Sequence, residues 1–213
     1  MAPESPGLRG GRLARIDQSA LTAWATELSD TEPSFTREDL LAHHTLVAEI
    51  FTREEAILPA RFPTFVADQD TLCDRLRSRQ DALTAQLERV RGCCELAVTV
   101  LWTNSDAVQP AVEADSPGRR YMAERRQALT ASDRRRAQAK TLAEAVERDV
   151  GQELIDVRHS LCPSASVGLS SALLVKRSRI EDVQTRLVHT QQDVRILVNG
   201  PWPPYTFAAV GSD

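Results

Sequence analysis

Asn199-Gly200-Pro201-Trp202-Pro203-Pro204-Tyr205-Thr206-Phe207 lies near the C-terminus, directly after Val194, Ile196 and Val198 in alternation with Arg195, Leu197 and Asn199. The alternation reads as a short strand. Gly200 then frees the backbone to turn. Pro201, Pro203 and Pro204 fix φ and remove N–H donors, so the strand is expected to end there, since it cannot continue in a central ladder position. Trp202 and Tyr205 each offer a large apolar face and one polar group. A stiff run of this kind presents two aromatics at low entropic cost. The plain alternative is a rigid connector whose Trp202 packs onto its own sheet.

Upstream, Ser166 to Val175 reads as a strand and Arg179 to Gln191 as a helix with Ile180, Val183 and Leu187 inward. A further short strand is expected after Pro204. Leu96, Val98, Val100 and Trp102 alternate with Glu95, Ala97, Thr99 and Leu101, which is the pattern of a half-buried strand. Asn104 to Gly118 reads as a loop, and Arg119 to about His159 as a long charged helical region with a break near Thr130 to Asp133. From residue 94 the expected order is strand, helix, strand, helix, strand. That order is compatible with a ferredoxin-like, split βαβ arrangement.

In the first half, Leu13 to Ile16 reads as a short strand and Ser19 to Leu28 as a short helix. Thr36-Arg37-Glu38-Asp39 has the form of a capping box, and Leu40, His44, Val47 and Phe51 follow on one helical face. His44 on that face reads as a hydrogen-bonded, half-buried residue. Pro59 and Pro63 exclude a helix from Leu58 to Val66 and suggest an irregular extended strand. A helix from Asp68 carries Leu72, Leu76, Leu83, Leu87 and Val90 on one stripe and stops at Gly92. The fold class expected is α+β in two packed domains, 1–92 and 93–213, the second ferredoxin-like with a long charged helix.

Of the 213 residues, 42% are hydrophobic and 26% charged, the balance of an ordinary globular chain, and no apolar run approaches the length of a membrane helix. The start lacks a secretory pattern, so a cytosolic setting is expected. A net charge of −4 argues against a general nucleic-acid binder. Arg119, Arg120, Arg125, Arg126, Arg134, Arg135, Arg136 and Lys140 form a local cationic block that RNA or an acidic partner could use. Without interleaved aromatics, a solvated face is the simpler reading. Cys73, Cys93, Cys94 and Cys162 read as reduced core fillers. A zinc site from Cys93-Cys94 and His43-His44 is set aside, because neighbours on a strand point to opposite faces. Phosphate-binding, nucleophile-elbow and zincin motifs are absent. Ser170-Ser171 with His159 or His189 form a nominal nucleophile-base pair that means nothing without geometry. No catalytic residue, metal or cofactor is expected.

Gly-Pro-Trp-Pro-Pro-Tyr-Thr-Phe at 200–207 resembles the closing signature of the gas vesicle protein F/L family (GvpL/GvpF). Leu58-Pro59-Ala60-Arg61-Phe62-Pro63-Thr64-Phe65 resembles that family's Leu-Pro-x-Arg-Phe-Gly-Thr segment. His43 with Val47 to Glu49 is similar to the preceding helix, Arg91-Gly92-Cys93-Cys94-Glu95-Leu96 to a strand entry, and Gly118-Arg119-Arg120-Tyr121-Met122 with Arg125 to a helix start. The likeness runs from about residue 8 to 208. It implies two α+β domains and a minor protein of vesicle assembly, cytoplasmic and vesicle-associated. Its implied partners are the hydrophobic major shell protein, whose aggregation it would limit during nucleation, and other assembly proteins, with no nucleic acid and no membrane. The candidate contact residues are Trp202, Tyr205 and Phe207 with Arg61, Phe62 and Phe65, and Gly200, Pro201, Pro203 and Pro204 are a structural signature. The alternatives are a scaffold without a chaperone-like role, a divergent inactive copy, or an RNA-binding module. Three departures stand out: no apolar strand precedes Leu8, Pro63 replaces a glycine, and Phe65-Val66 reverses the usual order.

Overall fold

The computed structural model describes residues 3–29, 34–102, 116–164, 166–188 and 194–208. They form two compact units, one of residues 1–95 with 201–213 and the other of residues 96–200. The sequence boundary after Gly92 is therefore drawn differently by the structure: the terminal run from Pro201, grouped in the sequence with the second domain, belongs with the first unit.

In the first unit, β1 (Leu13–Gln18) and β2 (Leu21–Thr26) form an antiparallel hairpin with Gln18 opposite Leu21 and Leu13 opposite Thr26. The helix expected over Ser19 to Leu28 is thus a strand. A two-residue loop with Ser19 at φ 54° reverses the chain, and pairing with β1 overrides the helical tendency of Leu21 and the alanines. Helix α1 (Arg37–Arg53) begins at the capping box: Thr36 accepts from the Asp39 N–H and Asp39 accepts from the Thr36 N–H. Val47 and Phe51 are buried, but Leu40 is exposed, so the inward face starts one turn later than the spacing suggested. Residues 58–66 pair with no strand. The helix expected from Asp68 is broken at Arg79 into α2 (Gln69–Ser78) and α3 (Gln80–Val90), where Arg79 leaves helical geometry at φ −114°, ψ 12°.

Arg9 and Asp39 lock the start of the chain to α1. The guanidinium donates to both carboxylate oxygens at 3.0 and 2.7 Å, and this holds Asp39 well below the ordinary carboxylate range. Glu49 does the same one face along, accepting from the Ser5 side chain and from the backbone of Glu4 and Ser5 beside Arg53, and its pKa falls to about 2.

The second unit is built on a four-stranded sheet in the order β4-β5-β3-β6. Its elements are β3 (Cys93–Trp102), α4 (Pro117–Val150), β4 (Leu154–Leu161), β5 (Val167–Lys176), α5 (Ile180–Val188) and β6 (Val194–Trp202). That is a β-α-β-β-α-β succession. Leu96, Val98 and Val100 are fully buried, as are Leu169, Leu173, Leu174 and Val175, and Val183 and Leu187 on α5; Leu142, Ala143, Ala145, Val146 and Val150 on the inner side of α4 are buried as well. Three consecutive buried residues on β5 mean that both sheet faces are covered there.

Several sequence expectations are corrected in this unit. The long helix is continuous through Thr130 to Asp133 and ends at Val150, and residues to Leu161 form β4. β6 runs through Gly200 and Pro201 to Trp202; it lies at the sheet edge, the place in a sheet where proline is tolerated. Among the described residues no strand follows Pro204: residues 205–207 make a turn. The loop expected over Asn104 to Gly118 lies mostly outside the described residues, and so do His189 and the end of the Arg179 to Gln191 helix.

Gly168 on β5 is needed for close packing. A Cβ placed there would sit 2.5 Å from Cζ2 of Trp102, so the indole occupies the space of a side chain. Gly168→Ala is expected to destabilise the protein by about 1–3 kcal/mol. In a double-mutant cycle with Trp102→Leu most of that cost should vanish; an additive cycle in chemical denaturation would contradict the contact. On the acid side, Asp39 and Glu49 have folded pKa values below their unfolded ones. Their contribution is complete above the ordinary carboxyl values of 3.8 and 4.5 and drains away as pH falls below them toward the folded values. Between pH 5 and about 2.5 the wild type should lose more in Tm than the Asp39→Asn/Glu49→Gln variant.

Candidate functional site

Two adjacent histidines on α1 each support a different group of aromatic residues. His44 Nδ1 is 3.0 Å from the Tyr205 hydroxyl, and its ring lies 5.9 Å from the Tyr205 ring and 5.6 Å from that of Trp202. His43 packs at 5.1 Å on Phe62, which meets Phe35 edge-on at 5.1 Å. Phe35 stacks on Phe65 at 5.9 Å, and the Arg9 guanidinium lies 5.5 Å above its ring. Successive helix residues diverge by about 100°, so one turn of α1 serves both groups. Asp39, which caps that helix, is the carboxylate that Arg9 grips.

The terminal run is held by a buried carboxylate. Glu95, near the start of β3, accepts the Thr206 N–H and the Thr206 hydroxyl, each at 2.8 Å. Within the run, Tyr205 N–H donates to Pro203 O at 2.7 Å and Phe207 N–H to Pro204 O at 3.1 Å. Gln86 of α3 donates to the Phe207 carbonyl. Burial, with the Glu95 charge adding to it, pushes the Tyr205 phenol up to about 12. Burial also lowers the pKa of His43, whose Nε2 is buried without a hydrogen-bond partner.

The six residues singled out in the sequence, expected to fall in two domains, all lie in the first unit. Their exposure differs. Trp202 is 39% exposed and Phe65 59%, Arg61 is exposed, and Tyr205 and Phe62 are half-buried. Phe207 is 3% exposed and belongs to the core, because the turn after Pro204 points it inward; it offers no contact surface. Pro203 and Pro204 are buried and Pro201 is exposed. Sequence reasoning missed His43 as a support and Glu95 as a clamp. A lone glutamate at a strand entry gives no sign of a partner 111 positions away.

The nominal pair in the second unit does meet. His159 Nδ1 lies 2.7 Å from Ser171 Oγ, directly across the β4–β5 ladder, and Nε2 lies 2.9 Å from Glu147 Oε1 on α4. Ser171 is buried, so no carbonyl can approach its hydroxyl. The chain ties α4 to the sheet and satisfies a buried polar group. The four cysteines are free, and no cluster with metal-ligand character occurs among the described residues.

The family model described as gas vesicle synthesis protein GvpL/GvpF matches residues 1–209. The chain belongs to the GvpL/GvpF family. Its part is therefore in gas vesicle assembly. It is 30% identical over 205 residues to gas vesicle protein L2 of Halobacterium salinarum, covering 79% of this chain and 70% of that one. It is 22% identical over 206 residues to gas vesicle protein F1 of the same organism, covering 92% and 80%. The fold matches the crystal structure of GvpF from Anabaena with a TM-score of 0.80 at 16% identity, covering 100% of this chain and 93% of the other. GvpF from Microcystis aeruginosa matches with 0.74 at 15%, covering 96% and 91%. No helix among the described residues is long and apolar enough to cross a membrane.

The sequence contains two tyrosines, so Tyr121→Phe leaves Tyr205 as the only phenol to titrate. Its folded pKa stands above the usual value of about 10, so the stability it contributes is complete below that pH and is lost as pH rises toward about 12. Phenolate absorbance in this variant should rise with a midpoint of about 12, and Glu95→Gln should bring the midpoint down. An ordinary midpoint in the folded protein would contradict the burial of the phenol.

Proposed function

We propose that this protein binds the hydrophobic major shell protein of the gas vesicle through the α1-supported aromatic surface, and so limits aggregation of shell subunits during nucleation. The observation that supports this reading is that the two aromatic groups share one helix turn and one unit, and each keeps an exposed member, Trp202 and Phe65. Leu40 and Leu41, one turn earlier on α1, are exposed as well. A subunit with a gas-facing apolar surface needs a partner that offers apolar area while staying soluble. Aromatic residues already held by packing on neighbouring rings lose little entropy on binding, and a few such anchors carry most of an interface's affinity. Arg61 beside Phe62 supplies a charged border. The same surface is open to other assembly proteins of the vesicle.

The runner-up, a scaffold without influence on shell solubility, draws on the cationic first half of α4 and not on this surface. Co-expression with the shell subunit separates the two. Under the shell-binding reading the wild type should raise the soluble fraction of the subunit and co-purify with it. Trp202→Ala/Phe65→Ala should fold normally yet lose about tenfold or more in capture, the scale of one hot-spot residue. Phe207→Ala should act differently, lowering stability by about 3–5 kcal/mol as a core truncation. Undiminished capture by the folded Trp202/Phe65 variant would refute the surface.

A further inference from the structure

The first half of α4 is unlike the second. All of its buried residues, Ala139 to Val150, lie in the C-terminal part that packs on β4, β5 and α5. The part before Ala139 buries nothing, yet it carries three large apolar side chains in the open: Tyr121, Met122 and Leu129 are 57%, 59% and 60% exposed. Residues 122, 125, 129, 132 and 136 step by three and four, so Met122, Arg125, Leu129 and Arg136 share one side of the helix, with Tyr121 at its margin. Between Pro117 and Lys140 eight cations face two acids, Glu124 and Asp133, in a chain whose net charge is −4. Arg126, Arg134 and Arg136 form no ion pair among the described residues, while Arg125 donates to the Tyr121 hydroxyl at 3.0 Å.

We propose that this exposed half of α4 is a docking surface for an acidic amphipathic helix of another protein, whose apolar side chains pack on Met122 and Leu129 and whose carboxylates pair with Arg125, Arg126 and Arg136. Charge complementarity selects the occupant. A second copy using the same stripe would set arginine against arginine. A phosphate backbone would satisfy the arginines but leave Met122 and Leu129 in water, with Tyr121 the one aromatic available for stacking. A lipid surface calls for apolar and cationic residues segregated on opposite faces, and here they alternate along one stripe while other arginines continue around the helix. A helix that interleaves leucine-like and carboxylate side chains meets both demands at once. The inference stands on the second unit alone and is independent of the shell-protein surface in the first.

The test uses the full chain and a fluorescein-labelled three-heptad peptide with leucine at positions a and d and glutamate elsewhere, read by anisotropy. A peptide with serine in place of leucine keeps the charge and removes the apolar stripe. The wild type should bind the leucine peptide about tenfold or more tighter than the serine peptide. Met122→Ser/Leu129→Ser, with charge unchanged and both sites exposed, should lose that preference, and Arg125→Glu/Arg136→Glu should abolish binding while far-UV circular dichroism stays the same. Equal binding of the two peptides, an unaffected Met122/Leu129 variant, or tighter binding of oligouridylate or of phosphatidylserine-phosphatidylcholine vesicles would overturn the proposal.

Discussion

A buried carboxylate must be satisfied by hydrogen bonds or a cation, and among the described residues Glu95 meets that demand with the backbone and hydroxyl of a single residue, Thr206. This constraint ties the turn at 205–207 to the entry of β3. Once Thr206 is fixed, the proline-bounded turn leaves little freedom on either side. Phe207 goes into the core, Tyr205 reaches His44, and Trp202 stays at the surface against the same imidazole. Losing one of the two bonds would leave a buried acceptor short of a partner, a cost of about 1–3 kcal/mol.

Helix α1 turns that clamp into a surface. Its N-terminus is held from two directions, by its own capping box and by Arg9, so the histidines a turn later have fixed positions. Adjacent in sequence and divergent in direction, they bring together the 58–65 segment and the terminal run. For the shell-subunit binding we propose, a surface of pre-set aromatics suits the task better than a deformable one.

What the sequence made legible was whatever depends on local chemistry. Thr36 and Asp39 announce a helix start wherever they stand in this spacing, and the alternation from Leu96 to Trp102 marks a strand with one buried side. What stayed hidden depends on neighbours that the sequence does not bring near. β4 is an edge strand, so Asp156, Arg158, His159 and Ser160 make it look like the solvated end of the preceding helix. Leu21–Thr26 is a strand because β1 pairs with it. Pro201 lies inside β6 because β6 is an edge strand, where half of the backbone donors have no strand to pair with. The helix break at Arg79 has no glycine or proline to betray it. The aromatic residues of the candidate surface were legible as residues, but their common support was not, since it joins positions 161 apart. Phe207 shows the converse: an aromatic in a conspicuous motif that turns out to be core.

The most direct test of the account is amide hydrogen exchange at Tyr205 to Ala208 in the wild type and in Glu95→Ala. If the Glu95 clamp orders the aromatic turn, these amides should exchange slowly in the wild type. They should then exchange much faster in the variant, while β4 and β5 keep their protection. Rapid exchange of the turn in the wild type, or protection indifferent to the loss of Glu95, would contradict it.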